Sequence, residues 1–325
     1  MEGYNFRIQE KVLRPTELVK LTGLMQRTSG SSDIRIGLID GPVATSHADL
    51  ANGHLQEISG NNGANCTRIN SSACLHGTFI AGILAARRTS PAPAICPDCT
   101  LLIRPIFSES TAGREHMPSA TPQELAAAIF DCINAGARVI NLSLALAQPS
   151  MREEKLLDEA FNQALSRGVL IAAAAGNQGM LGSSVITRHR WVIPVVACDL
   201  RGYPINESNL GSTIGTRGLS APGDNITGLG AEGQTITMGG TSVAVPFVTG
   251  AIALLWSQFP DTTAAQIKLA LMRQPQNFRQ ATMMGTGDSH MQLPYPRRRS
   301  VVPPLLDAES AWQILSAVNT RRQTA

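Results

Sequence analysis

The chain has 325 residues, 43% of them hydrophobic, 16% charged and only 4% aromatic, with a formal net charge of +3. That length supports one large α/β domain or two small ones, and a core short of aromatics must be built from Ala, Val, Ile and Leu. So small a charge gives no reason to expect nucleic acid or an anionic membrane as partner. No run of about 18 apolar residues predicts a transmembrane helix. The N-terminus, MEGYNFRIQEKVLRP, lacks the apolar stretch of a signal peptide, so a cytoplasmic location is expected.

In chain order, residues 15–28 show the apolar spacing of a short helix, and residues 34–39 form an apolar strand ending at Asp40. Residues 53–74, rich in Gly, Asn and Ser, predict a loop. His76-Gly77 then opens a buried helix over 78–86, and a strand follows at 101–107. Thr121-Pro122-Gln123-Glu124 has the form of a helix start: Thr as N-cap, Pro at the first helical position, and Glu placed to close a capping box. That helix runs to about 135 and stops at Gly136. Next come a strand at 139–144, an amphipathic helix at 152–167 closed by Gly168, a strand at 169–174, a turn at Gly176-Asn177-Gln178-Gly179 and a strand at 192–197. After Ser242 an apolar helix runs to about 256, and another begins near Asp261-Thr262. Residues 274–304, proline-rich and without periodicity, predict a long surface loop, and a last helix spans about 307–318.

Strands that are continuous apolar runs, alternating with helices, predict an α/β fold in three layers: a mostly parallel sheet with helices on both faces. No boundary divides it, so residues 1–325 are expected to form one domain, with an N-terminal extension at 1–32, the loop at 274–304 and a C-terminal helix and tail at 305–325. In such sheets active sites gather beyond the carboxyl ends of the strands. Asp40, Ser143 and Asn177 all lie at or just past such ends.

Three segments carry candidate chemistry. Ile36-Gly37-Leu38-Ile39-Asp40-Gly41 delivers an Asp from a buried strand. His76-Gly77-Thr78 places a His at a helix start, and Gly239-Gly240-Thr241-Ser242-Val243-Ala244-Val245-Pro246 places a Ser at another. A lone His at a helix terminus is commonly structural, and a Ser at a helix start is commonly a cap. Together, in the order Asp…His…Ser, they follow the chain order of the subtilisin triad.

With those residues in hand, the sequence resembles the subtilase family over roughly residues 30–275. Val139-Ile140-Asn141-Leu142-Ser143-Leu144 resembles the family's substrate-binding strand, Ala173-Ala174-Ala175-Gly176-Asn177 its oxyanion segment, and Ser220-Ala221-Pro222-Gly223 the turn before its nucleophile region. The resemblance implies a subtilisin-like fold and a serine peptidase with Asp40, His76 and Ser242 as triad. It implies an oxyanion hole made by the Asn177 side chain and the Ser242 N–H. An extended peptide substrate would lie along Ser143, Leu144 and Ala145, with Ala174, Ala175 and Gly176 as a wall of the S1 pocket. Ala145, where many subtilases have Gly, should narrow that pocket's mouth.

The sequence also departs from the family. Asp40 is followed by Gly41-Pro42-Val43 where most subtilases have Ser/Thr-Gly. Residues 87–99 (RRTSPAPAICPDC) are not the carboxylate- and Asn-rich loop that binds calcium in many secreted subtilisins. No metal and no cofactor are expected. Asp-Gly-Pro-Val, Cys96-Pro97-Asp98-Cys99 and the run Leu-Leu-Ile-Arg-Pro-Ile-Phe at 101–107 resemble the subtilases of cyanobactin biosynthesis, which act on ribosomal precursor peptides. The cyclising members carry a helical insertion between Asp and His. Here that interval is 36 residues, too short for such a lid, so leader removal by hydrolysis is expected. Macrocyclisation and non-catalytic peptide binding are the alternatives. Cys66, Cys74, Cys96 and Cys99 fit two local disulfides, free thiols or one zinc site, whereas Cys132 and Cys198 are expected to be buried and inert.

Overall fold

The computed structural model describes residues 13–51, 54–58, 60, 63, 65–109, 120–144, 151–273 and 300–323, with 151–154 and 321–323 described by backbone alone. Its centre is a seven-stranded sheet, β1 (Arg35–Asp40), β2 (His54–Glu57), β3 (Thr100–Pro105), β4 (Val139–Leu142), β5 (Leu170–Ala174), β6 (Val192–Cys198) and β7 (Leu219–Pro222), in the order β2-β3-β1-β4-β5-β6-β7. Every pairing in it is parallel. Strands β3 to β7 are buried at every position. A sheet covered on both faces has no polar side to alternate with, which is why these strands read as unbroken apolar runs.

The helices of the described residues are α1 (Pro15–Leu18), α2 (Leu21–Arg27), α3 (Ser72–Ala85), α4 (Pro122–Asn134), α5 (Met151–Arg167), α6 (Val185–Arg188), α7 (Ser212–Arg217), α8 (Thr241–Gln258), α9 (Ala264–Met272) and α10 (Ala308–Gln323), and strand parity shows on which face of the sheet the site lies. Gly37 lies under Cys132 of the helix Pro122–Asn134, at a distance where an added Cβ would meet that sulfur at 2.8 Å. Asp40, of opposite parity, instead meets His76, on the helix α3 (Ser72–Ala85). The apolar helix α8 (Thr241–Gln258) packs on the same face as α3, spanning β4 to β7. By length and composition α8 could cross a membrane, but it is the buried central helix of the layer. One continuous core runs from Val19 to Leu315. The N- and C-terminal elements join it together: Arg27 pairs with Glu309 at 2.6 Å and lies over the Trp312 ring, and Lys20 pairs with Asp307.

Several expectations are corrected. The helix expected at 15–28 is two, Pro15–Leu18 and Leu21–Arg27, because Lys20 adopts a left-handed conformation with φ +53°. The loop expected at 53–74 holds the edge strand β2, whose sequence His-Leu-Gln-Glu is mostly exposed and gives no apolar signal. A two-stranded hairpin, Ile226–Leu229 with Thr235–Met238, and two short helices, Val185–Arg188 and Ser212–Arg217, have no sequence counterpart above. Of the loop expected at 274–304, residues 274–299 lie outside the described residues. Its end is ordered alongside β7: Ser220 N–H donates to Pro304 O, and Leu306 N–H donates to Ser220 O.

Of the four cysteines with open assignments, Cys66 and Cys74 form a disulfide. Cys96 and Cys99 are buried free thiols, so the second local disulfide is not formed. The four-cysteine zinc site is not formed either, because two of its four ligands are joined to each other. The one cluster of metal-ligating groups among the described residues is Cys66, Cys74 and Glu109, and its two sulfurs are bonded to each other. Burial pushes the Cys132 and Cys198 thiols up to about 12, which keeps them protonated and unreactive.

Candidate active site

Asp40 ends β1 at the centre of the sheet, fully buried. Its Oδ1 accepts the Gly41 N–H at 2.7 Å and faces His76 Nδ1 at 2.7 Å, and the other ring nitrogen, Nε2, lies 3.0 Å from Ser242 Oγ. Hydroxyl, imidazole and carboxylate thus stand in line although they are 36 and 166 positions apart along the chain. Asp40 can hold the ring with Nδ1 protonated, which leaves Nε2 free to accept the Ser242 proton. Burial of the ring disfavours the imidazolium, but the charge of Asp40 and its hydrogen bond outweigh that penalty and hold the His76 pKa above its ordinary value of 6.5.

Close packing of the backbone sets this geometry. A Cβ on Gly41 would stand 2.0 Å from the Ala73 carbonyl oxygen, and one on Gly77 would stand 2.5 Å from the Gly41 carbonyl oxygen. The two glycines let the first turns of α3 press against the chain that leaves β1, and that contact brings His76 to Asp40. The departure noted in the sequence, Gly41 in place of a hydroxyl residue, is therefore a steric requirement of this chain. Ser71 caps α3 through Cys74 N–H, and the disulfide ties Cys66 to the same turn.

Ser242 is the second residue of α8, where backbone N–H groups have no acceptor within the helix. Four residues on, Pro246 has no N–H to offer the Ser242 carbonyl. The Ser143 hydroxyl takes its place, donating to Ser242 O at 3.0 Å. Asn141 donates its amide to Ser143 Oγ at 2.7 Å, and Thr249, two turns further along α8, donates to Asn141 Oδ1 at 2.9 Å. This chain of hydrogen bonds, buried at Asn141 and Thr249, clamps the Ser242 helix to β4.

Asn177 follows β5 and Gly176. Its Oδ1 accepts both the Thr241 N–H at 2.8 Å and the Thr241 hydroxyl at 2.9 Å. Two donors on one atom fix which end of the amide is oxygen, so Nδ2 is left as the group that can donate. A Cβ on Gly240, whose φ is +114°, would stand 3.0 Å from that nitrogen.

The subtilase family model matches residues 31–287. The chain belongs to the subtilase family. This subtilase is 26% identical over 275 residues to Subtilisin DY of Bacillus licheniformis, covering 83% of the chain and 93% of that relative. Among solved structures it is similar to the protease domain of PatA, a patellamide maturation protease, with 29% identity, a TM-score of 0.72, and coverage of 89% of this chain and 97% of that one. The PatG macrocyclase has a TM-score of 0.73 over 94% of this chain and 99% of its own, at 20% identity, a likeness of fold alone.

The remaining site residues of the subtilase fall as follows. Ser143 and Leu144 continue β4 and are buried, as are Ala174, Ala175 and Gly176 at the end of β5. Ala145 lies outside the described residues. Sequence reasoning gave no role to Thr241, Asn141 or Thr249. Thr241 stood inside the Ser242 motif, and Asn141, a polar residue in a strand buried at every position, is the kind of residue that must find partners.

Proposed function

We propose that this subtilase is an endopeptidase that cleaves an extended peptide through an acyl-enzyme on Ser242. His76 takes the hydroxyl proton during attack and returns it to the leaving amine, while Asp40 holds the tautomer and stabilises the imidazolium. The Asn177 amide and the Ser242 N–H donate to the oxyanion, helped by the dipole at the start of α8. The substrate pairs its backbone along Ser143, Leu144 and Ala145, with Ala174, Ala175 and Gly176 walling the S1 pocket. The observation that carries this reading is the aligned relay from Asp40 through His76 to Ser242, with distances of 2.7 and 3.0 Å, beside an asparagine whose oxygen is already engaged.

The substrate class we propose is a ribosomal precursor peptide, from which a leader is removed. The likeness to PatA at 29% identity supports it. Hydrolysis is favoured over cyclisation because the described residues between Asp40 and Ser71 hold the short strand β2 and no helix that could shield the acyl-enzyme from water. Labelling of Ser242 by a fluorophosphonate, followed by a peptide-library digest read by mass spectrometry with Ser242→Ala as control, tests both claims. Linear products that have gained water support hydrolysis; head-to-tail cyclic products overturn it, and no cleavage by a labelled enzyme overturns the peptide substrate. We place the enzyme in the cytoplasm. A reducing compartment opens bonds such as Cys66–Cys74, so protein alkylated on lysis should carry free thiols at both positions, and a mass spectrum showing them paired overturns that location.

A further inference from the structure

The loop that carries Asn177 is held by a residue outside the triad and outside the family segments recognised in the sequence. Asn209 makes five hydrogen bonds to residues 175–180. Its backbone N–H donates to Gly176 O at 2.9 Å. Its Nδ2 donates to Ala175 O at 3.2 Å and to Gln178 Oε1 at 2.6 Å. Its Oδ1 accepts the Gln178 N–H at 3.1 Å and the Met180 N–H at 3.0 Å. Both amide hydrogens and both lone pairs are used, which is the full capacity of the side chain, and the bonds fall on both sides of Asn177.

Two further facts make this a built support. Gly176 has φ +105°, and a Cβ there would stand 2.3 Å from Asn209 Nδ2, so the amide occupies the space that the missing side chain leaves. Asn209 is itself anchored through Ser208, whose buried Oγ accepts the Ala197 N–H and donates to the Ala197 carbonyl of β6, each at 3.2 Å. The Asn177 loop is thus fixed to β6 through Ser208 and Asn209 on one side and to α8 through Thr241 on the other.

We infer that Asn209 is a positioning residue for the oxyanion hole, setting the backbone on which Asn177 presents its amide. This rests on the reading of Asn177 as an oxyanion donor. The test is a double-mutant cycle on the full chain, reading the rate of Ser242 phosphonylation by a fluorophosphonate, whose phosphoryl oxygen takes up negative charge where the acyl oxyanion would form. Asn177→Ala should slow labelling about 10²–10³-fold, the loss known for the equivalent donor of subtilisin. Asn209→Ala should slow it by about 10- to 100-fold, the scale of an ångström-sized misplacement. In the Asn177→Ala background, Asn209→Ala should cost less than about twofold, since positions that act through one another are not additive. A merely structural loss would slow both backgrounds alike. Asn209→Ser, too short to reach the Ala175 and Gln178 acceptors, repeats the cycle if the alanine variant does not fold. Equal slowing in both backgrounds, or none in either, overturns the assignment of Asn209. An unchanged rate in Asn177→Ala overturns the oxyanion reading beneath it.

Discussion

Replacing Ser143 with Ala tests the clamp between β4 and the nucleophile's helix. The substitution removes the Ser143 partner of two polar groups, one part-buried and one buried. One is the Ser242 carbonyl, which Pro246 already deprives of a helical N–H; the other is one N–H of the Asn141 amide. An orphaned buried group costs about 1–3 kcal/mol, so the pair should cost about 3 kcal/mol. At about 2.1 cal/mol/K of unfolding entropy per residue, a chain of 325 residues loses about 1.5 °C per kcal/mol, so the melting temperature should fall by roughly 4–5 °C. The measurement is calorimetry or urea unfolding without reductant, in a Ser242→Ala background that prevents self-digestion and leaves the carbonyl in place. The decisive comparison adds Pro246→Ala, which restores an N–H that can bond Ser242 O within the helix. In that background Ser143→Ala should cost about half as much, because only Asn141 is then orphaned. An equal cost with Pro and with Ala at 246, or a Ser143→Ala change below about 0.5 kcal/mol, refutes the reasoning.

Further outcomes follow from the same geometry. Asp40→Asn should lower kcat by about 10⁴-fold, the loss seen when a triad Asp becomes Asn in another serine protease, while circular dichroism and melting show an intact fold; a loss under tenfold would contradict the role of Asp40. Because His76 must be neutral to accept a proton and its pKa is held above 6.5, the acid limb of the kcat/KM profile should have its midpoint above that value, activity falling as pH drops through it. Asp40→Asn removes the raising influence and keeps the burial, so the residual activity should titrate at lower pH. Cys66→Ser should destabilise the protein by about 2–3 kcal/mol, the chain-entropy value for so short a loop, read as a fall in melting temperature matched by reduction of the unmutated enzyme; no difference between oxidised and reduced protein would contradict it.

The family and the three side chains that the fold brings into line were legible in the sequence because the signals that carry them are local. Asp40 ends an apolar run, Ser242 opens an apolar helix, His76 lies in the second turn of another rather than at its expected start, and the order of the three along the chain selects one triad architecture among the known ones. The capping box at Thr121 and Glu124 and the stops at Gly136 and Gly168 were legible for the same reason, and all appear in the structure, both glycines with positive φ. The polar edge strand β2 was not legible, since its pairing energy comes from backbone bonds to β3 and leaves no apolar period behind.

What the tertiary structure alone decided concerns partners distant in sequence. The sequence left four cysteines with three possible fates; the fold brings Cys66 onto Cys74 and leaves Cys96 and Cys99 as buried thiols. Pro246 in a helix reads only as a missing donor, and it takes the folded chain to show Ser143 supplying the lost bond. Gly41 reads as a departure from the family until the Ala73 carbonyl is seen against it. Asn209 carries no motif at all, and its five bonds exist because two loops meet beyond the ends of β5 and β6. Composition and periodicity report how a residue relates to water and to its near neighbours, whereas hydrogen-bond complementarity between segments far apart is defined only once the chain has packed.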